Sequence, residues 1–171
     1  MPVRKKPPLR QPRHLRDAVE RLRESGADSV VSVVEARLWT PLGLRTLPPD
    51  DERYVPRYEG GVRSRDGSYH QGTVWPWLLG PFIEAWVRAH GGDDRARAEA
   101  REQFFAPLLA HLPQAGVGHI SEIADAEAPH TPRGCPFQAW SVSEALRLDL
   151  QVLAPAGTVR PGPRRLHAIG H

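Results

Sequence analysis

TVWPWLLGPFIEAWVRAHGG, residues 73–92, decides the fold class of this chain of 171 residues. Trp77, Leu78, Pro81, Phe82, Ala85, Trp86 and Ala89 recur at the spacing of one broad helical face, and a stripe that wide must be buried against other elements. Pro76 suits the first turn, where a backbone donor has no partner in any case, and Gly91 and Gly92 fit the left-handed stop that ends many helices. Pro81 removes a further donor, which predicts a bend.

Working outward, Asp93 and Asp94 suit the positive end of a second helix. It is expected to bury Phe104, Phe105, Leu108, Leu109 and Leu112. A third helix is expected from about Phe137 to Leu153, with Val142, Leu146, Leu150 and Leu153 on one face. Residues 153–171 show no period and read as a disordered tail. In the other direction, Trp39 to Tyr69 is loop-like, with Pro41, Pro48, Pro49 and Pro56; a stretch of that length is ordinarily functional or packed on a rigid frame. Before it, SVVSVV, residues 29–34, is a β-branched run that reads as a short buried strand. RHLRDAVERLRESG, residues 13–26, reads as a helix with Leu15, Val19 and Leu22 on one face, and residues 1–12 as a basic, proline-rich extended arm. The chain therefore divides into 1–36, 37–152 and 153–171. It is mainly α, with a short helix–strand unit in front, and three long helices are too few to close a ring.

Composition narrows the function. A single cysteine, Cys135, excludes an internal disulfide and a Cys-rich zinc site, and fits a reducing, cytoplasmic setting. No apolar run reaches membrane-spanning length. The net charge of +3 is an average of +3 in residues 1–35, −3 in 36–152 and +3 in 153–171. The basic character thus sits in the ends, and the mildly acidic middle argues against a nucleic-acid surface.

Two clusters carry chemistry. YHQGTVWPW, Tyr69 to Trp77, packs three aromatics, a histidine and a glutamine around a Gly–Thr turn at a helix start. Aromatic faces stack on the C–H faces of sugar rings while amide and imidazole groups bond vicinal hydroxyls, so a sugar site uses this mixture. On the residues alone the commoner reading is that Trp75 and Trp77 are core, with His70 and Gln71 satisfying loop backbone. The second cluster, GVGHISEIADAEAPHTPRGCPFQAWS, Gly116 to Ser141, is a carboxylate-bearing loop leading into a helix that opens with Gln138 and Trp140. Ile120 and Ile123 flank Glu122, which predicts partial desolvation, unlike Asp125 and Glu127, and a desolvated carboxylate is a candidate acid or base. His70, His119 and His130 have no metal-ligand spacing, so no metal or other cofactor is expected.

TPLGLRTL (40–47), DDERYVPRYEGGVRSRDGSYHQGTVWPWLLGPFIEAWVR (50–88), ISEI (120–123) and PRGCPFQAWSVSEALR (132–147), in this order and spacing, resemble the C-terminal end of the amylo-α-1,6-glucosidase domain of glycogen debranching enzymes. The resemblance spans residues 37–152. It implies part of a six-hairpin (α/α) toroid with the site in a central funnel, and hydrolysis of α-1,6-linked glucose in an α-glucan with inversion, which takes an acid and a base. It implies Glu122 as the base, with Arg65, Asp66, His70, Gln71, Trp75, Trp77, Gln138 and Trp140 lining the funnel. The acid then belongs to an earlier part of the toroid, so the missing part is an expected partner and the chain alone is expected to be inactive. PPLRQPRHLRDAVERLRESGADSVVSVVEA, residues 7–36, instead resembles a piece of a sugar-nucleotide cytidylyltransferase, without that family's nucleotide loop, which places a join near Ala36 to Thr40. Competing functions are a non-catalytic α-glucan-binding module and another toroid glycosidase, glucoamylase-like or trehalase-like.

The apolar-poor ends generate a first expectation. Brief trypsin treatment should cut first at Arg4 to Lys6 and at Arg160, Arg164 or Arg165, read by mass spectrometry; early cuts at Arg88 or Arg147 would mean that the helices are not packed.

Overall fold

A computed structural model describes residues 26–157. The extended arm and helix expected before residue 26, the tail from 158 onward and the tryptic sites in both lie outside the described residues.

Helix α1 is Ala27–Leu38, where the sequence predicts a strand. The correction has a plain cause. β propensity is a weak and context-dependent preference, whereas as a helix this segment turns Val31, Val34 and Leu38 into the main core. Glu35, on the same helix, accepts hydrogen bonds from Trp86 Nε1 and Gln103 Nε2, each at 2.9 Å. The helix runs through the expected join at Ala36 directly into strand β1, Trp39–Thr40.

The region read as loop carries structure of its own. β1 turns back into β2, Gly43–Arg45, and helix α2, Val62–Ser68, follows. Strand β3, Val74–Trp75, pairs with β2. Two later strands, β4 (Ile123–Ala124) and β5 (Pro132–Arg133), complete an antiparallel sheet in the order β1-β2-β3-β4-β5. Strands of two or three residues hold too little alternation to be read from sequence.

Pro76 opens a 3₁₀ turn, Pro76–Leu78, which leads into α3, Leu79–Ala89. The helix buries Leu79, Phe82, Ile83, Trp86 and Val87, so the buried face is rotated from the predicted one. Phe82 and Trp86 hold their places, but Trp77, Pro81, Ala85 and Ala89 are only half-buried. The 3₁₀ turn is the reason: at three residues per turn it shifts the phase of everything counted from Trp77. Pro81 falls in the first turn of α3, among donors without intrahelical partners.

Asp93 caps α4, Asp94–Ala100, by accepting from Ala96 N at 2.8 Å, as expected. The helix then widens into a π turn, Arg101–Phe105, before α5, Ala106–Leu109. Pro107 cannot donate to the turn before it, which accounts for the widening. Phe104 is the centre of the core, met edge-on by Trp39, Phe82 and Trp86 at ring separations of 5.7, 5.1 and 5.3 Å. Leu109, expected inside, is exposed.

The last helix, α6, is Ala139–Arg147, extended by a π turn, Leu148–Val152. It buries Ser141, Ala145, Leu148 and Leu153, while Leu146 and Leu150, predicted to be core, are exposed at 54% and 37%. α6 meets α3 where Glu144 lies against Gly80 and Arg147 pairs with Glu84 at 2.6 Å, and Ser141 Oγ donates to Ser121 O at 3.4 Å. The most apolar stripe is therefore not the one that this contact buries. No helix among the described residues is long and apolar enough to cross a membrane.

Gly43 is the tightest point of the sheet. A Cβ there would lie 2.6 Å from Trp75 O and 2.8 Å from Pro76 Cα, and backbone cannot swing aside. Gly43→Ala should destabilise the chain by about 1–3 kcal/mol, as overpacking does, seen as a lower urea midpoint at unchanged slope.

Candidate functional site

The sheet brings the two sequence clusters together. Val74 of β3 lies opposite Ala124 of β4, and Ile123 and Ala124 lie opposite Arg133 and Pro132 of β5. Glu122 stands just before β4, and its N–H donates to Cys135 O at 2.8 Å, continuing the ladder. Its carboxylate is held at both oxygens: Tyr69 Oη donates to Oε1 at 2.5 Å and Cys135 N–H to Oε2 at 3.0 Å. Gly134 is required beneath it, since a Cβ there would lie 2.5 Å from Oε2 and the residue's φ is +67°. Glu122 is half-buried, as expected.

A continuous series of rings extends from that carboxylate. Tyr69 touches Tyr58, His70 and Trp75 at 5.8, 4.7 and 5.0 Å. His70 stacks on Trp75 at 5.1 Å and 14°. Trp140 then meets Trp75 at 6.0 Å and Trp77 at 6.4 Å. Trp75 is 5% exposed and donates its indole N–H to Thr73 Oγ1 at 3.2 Å, whereas Trp140 is 45% exposed. Of the two tryptophans that the sequence allows as core, Trp75 is packed so and Trp77 is half-buried, while Trp140 is the more open ring.

The other predicted lining residues are placed less centrally. Arg65 and Asp66 are exposed on α2, and among the described residues no hydrogen bond joins either side chain to Glu122. Gln71 is half-buried; its backbone carbonyl accepts from Val55 N at 2.6 Å, and its Oε1 is buried without a hydrogen-bond partner. Gln138 is the N-cap residue of α6, and its N–H donates to Ile120 O at 3.2 Å. His70, His119 and His130 are dispersed: His119 lies edge-on to Phe137, and His130 Nδ1 is 3.1 Å from Asp125 O. Among the described residues no group of three His, Cys, Asp or Glu is arranged to hold a metal ion.

Asp125 overturns the expectation that it is solvated. It is wholly buried, forked to Arg133 at 2.9–3.2 Å, and accepts from Tyr58 N at 2.9 Å. The hydrogen bond from Arg133 to this carboxylate raises the guanidinium's pKa. Buried charge is tolerated where it is paired and its remaining lone pairs are bonded, and the pair holds Tyr58 against Tyr69. Sequence reasoning missed Tyr58, Asp125 and Arg133 as parts of this region. Their partners lie 67 and 8 residues apart, and nothing local marks them.

Two phenols are perturbed. Burial, and then the Glu122 carboxylate, push Tyr69 well above the ordinary tyrosine range. Burial, and then the hydrogen bond to Glu127, push Tyr54 up to about 12.

Comparison with known proteins is in keeping with this arrangement. A family model described as amylo-alpha-1,6-glucosidase matches residues 14–147, including part of the segment whose resemblance pointed to a cytidylyltransferase. The glycogen debranching enzyme of Saccharomyces cerevisiae (strain ATCC 204508 / S288c) is 30% identical over 142 residues, which covers 72% of this chain and 9% of the yeast protein. The chain thus corresponds to a small part of that relative's length.

Alkali tests the two phenols. A phenol whose pKa is raised on folding contributes stability that is complete below the unfolded value of 10 and is lost as pH rises through the folded value. Stability measured by urea unfolding should therefore fall from pH 10 to about 12, and Tyr54→Phe should flatten that fall. An unchanged slope in the variant would contradict the assignment.

Proposed function

This chain belongs to the amylo-α-1,6-glucosidase family, and from that premise we propose that residues 37–152 form the base-bearing side of an α-glucan hydrolase site, with Glu122 as general base. The observation that supports this best is the placement of Glu122. A half-buried carboxylate, anchored at both oxygens, stands at one end of a wall of rings whose other end, Trp140, is open. The wall would take a glucosyl ring by its apolar face, and the carboxylate would take a proton from the water that attacks the anomeric carbon.

Hydrolysis with inversion also needs an acid on the leaving oxygen, and we assign it to polypeptide outside residues 37–152. The helices α3 to α6 would be one arc of a six-hairpin toroid. The outer face of α6 supports this. Leu146 and Leu150 are exposed there at 54% and 37%, and adjoining exposed apolar side chains mark a surface that another element covers. The partners of the chain are then an α-glucan of the glycogen or limit-dextrin type and the remaining arc. An exposed free thiol at Cys135 suits the cytoplasm.

Two measurements test the reading. In an intact homologous glucosidase, Glu→Gln at the position matching Glu122 should cut turnover roughly 10²–10⁴-fold, the usual loss for an acid–base group, with near-normal glucose release sinking the assignment. The isolated chain should release no glucose from a limit dextrin, yet should bind maltoheptaose weakly through Trp140, and Trp140→Ala should remove that binding.

A further inference from the structure

We infer that Tyr69 is the positioning residue of Glu122, its hydroxyl fixing one carboxylate oxygen so that the base keeps a single orientation against the aromatic wall. The inference rests on Glu122 being the base. A glutamate side chain has a freely turning terminal bond, and a carboxylate held at one oxygen can still rotate about it. Here the two oxygens are held by different parts of the chain, Oε1 by Tyr69 Oη at 2.5 Å and Oε2 by Cys135 N–H at 3.0 Å. Neither donor alone determines the plane of the carboxylate; both together do.

The two anchors are unlike. Oε2 is turned to the backbone of Gly134 and Cys135, where not even a Cβ would fit. Oε1 is turned to the ring cluster. Each carboxylate oxygen has about two lone-pair sites, so Oε1 retains one beyond the bond from Tyr69 with which to accept from a water. Tyr69 can hold that oxygen because it is itself held. Tyr58, His70 and Trp75 pack against its ring, and Thr73 Oγ1 donates to its backbone carbonyl at 2.6 Å. The position of the wall is thereby passed to the base through one hydroxyl, and alignment of this kind is worth much in rate. A tyrosine hydroxyl is protonated across the physiological range and burial only raises its pKa further, so beside a carboxylate the hydroxyl is the donor. A tyrosine that merely filled space would have no use for the hydroxyl, which is what separates the two roles.

The test uses the full chain labelled with ¹⁵N. The Cys135 amide proton reports the bond to Oε2, and Glu122→Gln marks its resonance when the carboxylate is gone. Tyr69→Phe retains the ring, and a cooperative melting transition shows that the fold is kept even though the lost hydrogen bond lowers its midpoint. The substitution should move the Cys135 amide resonance toward that of Glu122→Gln and speed its hydrogen exchange by about tenfold, the loss of roughly 1.4 kcal/mol of protection. A Cys135 amide unchanged by Tyr69→Phe would overturn the inference. A second measurement does not depend on that variant. With 3-fluorotyrosine in the otherwise wild-type chain, the Tyr69 ¹⁹F resonance should shift on Glu122→Gln, and no shift would equally overturn it. Failure of the base assignment is seen separately, as turnover that survives Glu→Gln at the matching position of an intact homologue, and leaves the resonance results as they were.

Discussion

Val74 lies opposite Ala124, both without solvent exposure, and through this short pairing the loop that carries Glu122 is set against the strand that ends in Trp75. On one side of it the chain runs into the 3₁₀ turn and α3, and so into the helical core around Phe104. On the other side it runs through the β4–β5 hairpin to Gly134, Cys135 and α6. The tightness at Gly43, the ring contacts of Tyr69 and the second anchor of Glu122 all presuppose that register. A slip of one residue would turn every side chain of β4 to the opposite face and carry Glu122 away from Tyr69.

The loop half of the molecule is held by polar contacts more than by apolar area. The second apolar cluster comprises Leu42, Val74 and Ala124, against the far larger core built on α1 and α3 to α6. Around it Asp125 binds Arg133 and Tyr58 N, Tyr54 Oη donates to Glu127, and Ala126 N–H donates to Pro56 O at 2.9 Å. These bonds fold residues 54–58 over the β4–β5 loop. Hydrogen bonds are directional where apolar contact is not, so a site that must hold a carboxylate in one orientation is suited by such a surround.

The helical core and the site differ in how far they could be read in advance. Helix α3 and the cap at Asp93 were legible because a 3.6-residue period and a side chain three residues from its backbone partner are local. The six-residue run at 29–34 was misread for the complementary reason. Its β-branched composition is local, while the surfaces that take Val31, Val34 and Leu38, and the Trp86 and Gln103 groups that bond Glu35, are not. The face of α6 differs from the expected one likewise, because apolarity ranks Leu146 and Leu150 above Ser141 and Ala145, while the partners that bury the smaller pair, Ser121 O among them, are remote in sequence.

By itself the sequence determined the positions of α3, α4 and α6 and the family to which the chain belongs, and it nominated Glu122, His70, Trp75, Trp77 and Trp140 as a group. These follow from periodicity, capping and extended motifs, all of which are written in consecutive residues. Only the tertiary structure decided that residues 29–34 are helical, that Asp125 is buried against Arg133, and that Trp75 is packed while Trp140 is open. It alone joined Tyr69 to Glu122 across 53 residues of chain. Such pairings depend on sheet register and on which side chains fill one another's space, and neither is encoded at any single place along the chain.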